Sequence, residues 1–130
     1  MQCPCHSGKK YAACCEPFHQ GILPPTALDL MRSRYSAYAL SKIDYIIETS
    51  HPKHRDLLLP RAILKAKINN FCSTTTFKGL SIIDKELSEP FSTVTFRAEL
   101  IQNEQDASYT EKSLFEKIQG RWLYLSGQIL

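Results

Sequence analysis

The chain of 130 residues predicts an α+β protein in which a small cysteine-rich segment precedes three helices and an antiparallel sheet. Between residues 26 and 71 the apolar residues recur with a helical period, whereas from residue 77 onward they alternate with polar residues as in strands. Short turn sequences separate the alternating segments, and short turns join only antiparallel neighbours. Helices followed by such a meander are typical of the α+β class.

The N-terminal segment differs in composition from the rest of the chain. Four of the five cysteines lie between Cys3 and Cys15, and the residues 21–25, Gly-Ile-Leu-Pro-Pro, form a stiff connector because proline restricts both its own backbone and that of the residue before it. We therefore predict a small unit over residues 1–21, called the knuckle below, and a larger α+β domain over residues 22–130, called the main domain.

Three helices are predicted in the main domain, over Thr26–Leu40, Ser41–Glu48 and Pro60 to about Asn69. Thr26 can cap the first helix while Asp29 reaches back to form a capping box. Ser41 and Asp44 repeat this start signal for the second helix, and Pro60 suits the first position of the third. The third helix is expected to bury Leu64, Ile68 and Phe71.

Four strands follow, predicted at Phe77–Glu86, Phe91–Ile101, Ser108–Ile118 and Arg121–Ile129. The second has the clearest alternation, with most of its apolar residues on one face: Phe91, Val94, Phe96, Ala98 and Leu100. A period of two is typical of a strand with one buried face.

The cysteines form two pairs, Cys3-x-Cys5 and, after eight intervening residues, Cys14-Cys15. Zinc prefers four tetrahedral ligands and binds thiolates well, and four ligands leave no open position for catalysis. Lys9 and Lys10 lie in the loop between the pairs and would offset the net charge of −2 on such a centre. The pattern therefore predicts one structural Zn²⁺ bound by four thiolates.

The same residues are compatible with other interpretations. The thiols could be metal-free or redox-active, or could hold another metal such as iron. His6 and His19 are alternative ligands, although each is better explained as a bystander. Cys72 stands alone in the sequence and is expected to be a small buried apolar residue.

Charge and hydropathy limit the possible partners. The formal net charge is only +3, so specific DNA binding is not expected, and the basic stretch from Lys53 to Lys67 is explained by a solvated helix face. No apolar run reaches the roughly 18 residues of a membrane span, and the first residues lack the apolar region of a signal peptide. A cytoplasmic protein without membrane contact is the expectation, and in the cytoplasm clustered cysteines favour metal over disulfides.

The segment from Cys3 to Cys15 resembles the SEC-C zinc motif, named after the C-terminus of the SecA preprotein translocase motor. The rest of the chain resembles the YchJ family of bacterial proteins, which has no assigned activity. The residues that carry this second resemblance are Leu30-Met31-Arg32-Ser33-Arg34-Tyr35-Ser36-Ala37-Tyr38, Thr49-Ser50-His51-Pro52, Glu111-Lys112-Ser113-Leu114-Phe115 and Trp122-Leu123-Tyr124.

The resemblance implies a main domain like nuclear transport factor 2, in which three helices pack on a strongly curved antiparallel sheet and enclose a cone. Such an open sheet often forms a homodimer. The motif usually has Gly where this chain has His6, so a positive φ is expected there at some strain. Relatives commonly carry a second SEC-C motif, and no function that needs two is expected here.

By analogy with the translocase motor, the leading hypothesis is a non-enzymatic docking or adaptor module. Its contact with a protein or ribonucleoprotein would use the knuckle residues His6, Lys9, Lys10 and Tyr11. The alternative role of the knuckle is only to anchor the N-terminus.

The second hypothesis places a small polar ligand in the cone, for binding or for lyase, isomerase or hydrolase chemistry. Candidate lining residues are Arg34, Tyr38, His51, Glu111, Phe115, Trp122 and Tyr124. Glu111 could act as a general base. A structural alternative exists in each case: an Arg34–Glu111 pair that joins helix to sheet, a packing role for His51, and a core role for the aromatic residues.

Overall fold

A computed structural model describes residues 1–130 and confirms the combination of helices with an antiparallel sheet. The knuckle contains a 3-10 turn (Tyr11–Ala13) and helix α1 (Glu16–His19). The main domain has the helices α2 (Ala27–Ala39), α3 (Ile43–Glu48) and α4 (Arg61–Thr74), a 3-10 turn (Arg55–Leu58), and the strands β1 (Thr75–Glu86), β2 (Phe91–Gln102), β3 (Gln105–Asp106), β4 (Tyr109–Ile118) and β5 (Arg121–Ile129). None of the helices combines the length and the hydropathy that a membrane crossing requires.

Helix α2 begins where its cap predicts. The Thr26 hydroxyl accepts the backbone N–H of Asp29 at 3.1 Å and donates to the Asp29 carboxylate at 2.9 Å. The carboxylate thus binds the capping hydroxyl instead of the Thr26 backbone N–H, which is a variant of the predicted capping box.

The other two helices depart from their predicted ends. Ser41 is not a cap: it has a φ of 57° in the left-handed turn after α2, and α3 starts at Ile43 without a side-chain cap. Pro60 precedes the first residue of α4, and that helix continues to Thr74 instead of stopping near Asn69. The extension is stabilised by tertiary packing, since Cys72 is buried in one cluster with Leu64 and Ile68.

The sheet is an antiparallel meander in the order β1-β2-β4-β5, and the unpredicted two-residue strand β3 pairs with the end of β2. Register shifts interrupt β1 at two places and the β4–β5 pairing at one. Each such irregularity bends a strand and increases its twist. The sheet therefore curves, and α2 packs against it.

Two apolar clusters stabilise the main domain. One lies between α2 and the sheet and includes Leu30, Phe96 and Phe115; the other joins α2 to α3 and α4 and includes Ile46 and Leu64. Neither cluster contains a knuckle residue. The knuckle has its own cluster of cysteine sulfurs against Tyr11.

Candidate functional site

The four knuckle cysteines form one compact thiol cluster, which consists of Cys3, Cys5, Cys14 and Cys15. Their Sγ atoms all lie within 4.8 Å of one another, and none is in a disulfide. A tetrahedral zinc–thiolate centre with bonds of about 2.3 Å places its sulfurs about 3.8 Å apart. The sulfurs of Cys5 and Cys14 are 3.5 Å apart and those of Cys14 and Cys15 are 3.9 Å apart. The donor set and its spacing therefore fit one metal ion with four thiolate ligands.

The backbone of the loop brings the two cysteine pairs together. The N–H of Cys3 donates to the carbonyl of Lys9 at 2.9 Å, and the N–H of His6 donates to the carbonyl of Cys3 at 3.1 Å. This path needs left-handed residues at two positions, His6 with a φ of 60° and Gly8 with a φ of 87°. The positive φ expected at His6 is confirmed, at a position where glycine would be less strained.

Hydrogen bonds between the thiols of the cluster shift their pKa values. A hydrogen bond from Cys15 is the main cause that lowers the pKa of Cys5 to about 4, and the same bond raises the pKa of Cys15. Burial raises the pKa of Cys3 to about 11. A metal that takes four thiolates must displace the remaining protons, so its affinity falls as the pH falls.

The two knuckle histidines lie outside the thiol cluster. Nε2 of His19 is 2.8 Å from the carbonyl oxygen of Ser33, to which it donates, and Nδ1 accepts from the Tyr11 hydroxyl at 2.6 Å. Both ring nitrogens of His19 are thus occupied. The exposed His6 places its ring edge-to-face with Tyr35 at 5.9 Å between centroids.

The knuckle rests on α2 through polar contacts. Besides the His19 bond to Ser33, the Arg32 guanidinium donates to the carbonyl of Cys5 at 3.1 Å. Of the residues predicted to form a docking surface, Lys9 and Lys10 are exposed with His6, whereas Tyr11 is half-buried and directs its hydroxyl to His19. The free part of that surface is therefore the basic loop.

A second candidate site is a cavity of about 260 Å³ between α2, α4 and the sheet. Five of the seven predicted pocket residues line it: Arg34, Tyr38, Glu111, Phe115 and Tyr124. The structure adds lining residues that the sequence reasoning did not assign to the pocket, among them Tyr35, Phe71, Phe77, Phe96 and Tyr109. The sequence could have identified Tyr109, because it lies on the same face of β4 as Glu111 and Ser113.

The predicted positions of His51 and Trp122 are wrong, since neither lines the cavity. His51 is buried, and its Nε2 lies 2.7 Å from Oε1 of Glu116, so it fastens the loop after α3 to β4. Trp122 is buried in the apolar cluster between α2 and the sheet, where its indole N–H donates to the carbonyl of Pro25 at 3.3 Å. These contacts are structural, as the packing and core alternatives predict.

Arg34 does not pair with Glu111, contrary to the proposed helix-to-sheet link. Its guanidinium donates to the carbonyl of Ile46 at 2.9 Å and to the hydroxyl of Thr49 at 2.7 Å. These oxygens lie at the end of α3, beside α2. They are uncharged acceptors, and they provide the hydrogen bonds that the buried Arg34 guanidinium needs. The guanidinium carbon also lies 4.7 Å from the ring centroid of Tyr124, in cation–π geometry.

Glu111 is held by neighbours on the sheet. Its Oε2 accepts hydrogen bonds from the hydroxyls of Ser113 and, at 3.1 Å, of Tyr124. Burial, and then the nearby Glu111 charge, raise the pKa of Tyr124, which keeps this phenol a donor. A Cβ at Gly127 would meet both the Glu111 carboxylate and the Tyr124 hydroxyl, so only glycine leaves room for this arrangement.

Comparisons with known proteins now identify the two parts of the chain. A family model described as "YchJ, middle NTF2-like domain" matches residues 26–127, and a SEC-C motif model matches residues 2–17. The chain belongs to the YchJ family. A UPF0225 protein of Actinobacillus succinogenes is 40% identical over 130 residues, which cover 98% of this chain and 81% of the relative. A UPF0225 protein of Deinococcus radiodurans is 39% identical over 124 residues, covering 95% and 85%.

Solved structures agree with the SEC-C motif and with the fold. The solution structure of a SEC-C motif containing protein from Rhodopseudomonas palustris has a TM-score of 0.87 at 33% identity and covers 100% of this chain and 99% of its own. An NTF-2 like protein from Shewanella oneidensis has a TM-score of 0.58 at 17% identity, covering 78% of this chain and 93% of its own, and shows the fold alone. The expected nuclear transport factor 2-like fold and the SEC-C knuckle are confirmed.

Proposed function

We propose that the thiol cluster binds one Zn²⁺ and that the knuckle is a non-enzymatic docking module for a protein with an acidic surface. The observation that carries this proposal is the closed set of four thiols beneath an exposed basic loop. Four sulfurs complete the tetrahedral coordination of zinc, so the metal would stabilise the loop and would have no position left for a substrate.

The basic loop is free to meet a partner. Lys9 and Lys10 are exposed, and neither takes part in any of the ion pairs of the chain. A four-thiolate zinc centre would carry a charge of −2, which the charges of these two exposed lysines would offset. Rim charges of this kind increase the association rate and the specificity of a contact.

The docking proposal is tested with the double variant Lys9→Glu/Lys10→Glu in the zinc-loaded protein. The matched control is Lys53→Glu/Arg55→Glu, which makes the same charge change at exposed positions of the main domain. Zinc content should stay at one per chain in both, and quantitative recovery of bound proteins from a lysate should fall only for the knuckle variant. Equal recovery with both variants would contradict docking through the loop, and a loss that nuclease treatment reproduces would identify a ribonucleoprotein instead.

The second candidate function is binding of a small molecule in the cavity. It is favoured by the combination of a largely apolar wall with the Glu111 carboxylate, whose Oε1 has no hydrogen bond from the protein. Apolar pockets with a few convergent polar groups are typical ligand sites.

Binding without turnover is the form of this candidate that the contacts favour over lyase or hydrolase chemistry. Those reactions usually need a group that protonates the leaving group, with a pKa near the operating pH. The phenols beside Glu111 are poor acids there, because burial raises the pKa of Tyr109 and of Tyr124. Arg34 already donates to oxygens of α3 and its following loop.

Native mass spectrometry of freshly purified protein, compared with the denatured chain, tests both candidates together. The docking module predicts a mass excess of one zinc ion. An additional organic mass would support occupancy of the cavity. A Glu111→Gln variant should lose that organic mass and keep the zinc; retention of the organic mass by the variant would contradict a ligand seated at Glu111.

A further inference from the structure

We infer that the cavity selects a small, uncharged, planar molecule that carries an N–H or O–H donor beside an acceptor, as aromatic amides and lactams do. The inference rests on the second proposed function and names the class of its ligand. It follows from the shape of the wall, from three polar groups without partners, and from the balance of charges around them.

The wall favours a flat apolar body. Aromatic rings from α4 and from three strands surround the space: Phe71, Phe77, Phe96, Tyr109 and Phe115. Such rings stack on planar ligands or contact them edge-on. The volume of about 260 Å³ lies just below the range of about 300–1,000 Å³ that is typical of drug-sized ligands. A second cavity of about 620 Å³ shares Arg34, Glu111 and Tyr124 with this one, so the volume limits only the part of the ligand that lies among the rings, which is expected to be one ring or two fused rings.

Three polar groups of lining residues have no hydrogen-bond partner in the protein: Oε1 of Glu111 and the hydroxyls of Tyr38 and Tyr109. Every fully buried side-chain nitrogen or oxygen atom of the chain has a hydrogen-bond partner. These three oxygens have none, so they must be accessible to a ligand or to water. Burial raises the pKa of both phenols, which therefore stay protonated and can donate. A ligand that offers one donor to Oε1 and one acceptor to a phenol satisfies this set.

The charges around the cavity oppose a charged head group. Tyr124 contacts both charges, because the Arg34 guanidinium lies over its ring and the Glu111 carboxylate accepts from its hydroxyl. Asp56 and Lys67 also line the cavity and add one charge of each sign. A cation drawn to Glu111 would approach Arg34, and an anion drawn to Arg34 would approach Glu111. An uncharged head avoids both repulsions and their desolvation cost.

Four monocyclic probes that differ mainly in the head group test the inference: benzamide, benzoate, benzylamine and toluene. Each is titrated at pH 7 into the zinc-loaded full chain and followed by NMR shifts of the backbone amides. We expect benzamide to bind at least fivefold more tightly than each of the other three, with shifts at cavity residues. Tighter binding of benzoate or benzylamine would overturn the ligand class while leaving a binding cavity. Equal binding of toluene would overturn selection by the head group. No shift with any probe at millimolar concentration would contradict the cavity proposal itself.

Two variants separate the polar head from the wall. Tyr109→Phe removes a free hydroxyl and keeps the ring, and it should weaken benzamide binding about three- to tenfold, the effect of one lost hydrogen bond. Tyr45→Phe is the control, because its hydroxyl is hydrogen-bonded to the Ser33 hydroxyl at 2.7 Å and the residue does not line the cavity. Toluene binding should change less than twofold in both variants. Equal losses of benzamide affinity in the two variants would refute a role for the free phenol.

Discussion

Substitution of Cys14 by Ser should release the proposed zinc ion and unfold the knuckle while the main domain stays folded. The variant removes one of the four sulfurs and leaves an incomplete ligand set. Binding of a structural zinc ion supplies about 10–16 kcal/mol in small zinc-finger peptides, far more than the knuckle's own cluster of cysteines and Tyr11 can replace.

The cost to the main domain can be worked out from its contacts with the knuckle. Both apolar clusters of the main domain consist only of residues from Ala27 onward, so they stay intact. The lost contacts include the hydrogen bonds from Arg32 to Cys5 and from His19 to Ser33, and the ring contacts of His6 with Tyr35 and of His19 with Tyr45. At about 0.5–1.5 kcal/mol each, these four contacts lower the free energy of unfolding by about 2–6 kcal/mol. For a chain of this size that corresponds to a fall in Tm of about 6–24 °C.

Three measurements on one sample check this. Metal analysis gives the zinc content, thermal circular dichroism gives the Tm, and NMR hydrogen exchange reports the knuckle through the amides of Cys3 and Tyr11, which donate to the carbonyls of Lys9 and Met1. A Cys72→Ala variant is the control, since this thiol lies in the helical cluster and should not affect zinc. Global unfolding of Cys14→Ser would refute the boundary near residue 21, and full zinc content with protected knuckle amides would refute the ligand set.

Three further predictions address the packing, the knuckle contact and the cavity. Leu30→Ala removes a fully buried side chain between α2 and the sheet and should cost about 2–5 kcal/mol in urea denaturation; a loss below about 1 kcal/mol would contradict its place in the core. Burial lowers the pKa of His19 below 6.5, so the stability that its neutral form provides is fully present above pH 6.5 and is lost as the pH falls below that value. Protection of the knuckle amides should therefore fall more between pH 7.5 and 5.5 in the wild type than in His19→Gln, and an equal fall in both would show that another group is responsible. Gly127→Ala should displace the Glu111 carboxylate and weaken benzamide binding at least threefold while the fold persists; unchanged affinity would show that this carboxylate position is unimportant.

Local sequence signals predicted the elements whose ends depend on local chemistry. Strand β5 runs from Arg121 to Ile129 as predicted, because a turn sequence precedes it and alternation defines it. The Thr26 cap likewise gave the start of α2. The end of α4 could not be found in this way, since the residues after Asn69 are mediocre helix formers and the helix continues only because Cys72 and Phe71 pack against other elements.

The two candidate sites also differ in how well local sequence signals could predict them. The thiol cluster was predictable because its four cysteines lie within one segment of 13 residues. A short loop brings residues that are close in sequence into one site, without help from the rest of the fold. The cavity joins residues of α2, α4 and the sheet, so its membership depends on strand curvature and on which way each long side chain turns. Side chains such as His51 and Trp122 looked suitable by type, but the register of β4 with β5 and the loop after α3 place them elsewhere.

The amino-acid sequence was sufficient to predict the α+β class, the order of helices and strands, the SEC-C cysteine pattern and the resemblance to the YchJ family, because each depends on periodicity or on closely spaced residues. Only the folded arrangement shows that Arg34 binds the end of α3 instead of Glu111, and that Tyr124 contacts both charges. It also showed that Gly127 leaves space for the Glu111 carboxylate. Contacts of this kind depend on the relative positions of elements distant in sequence, which packing of the whole chain determines.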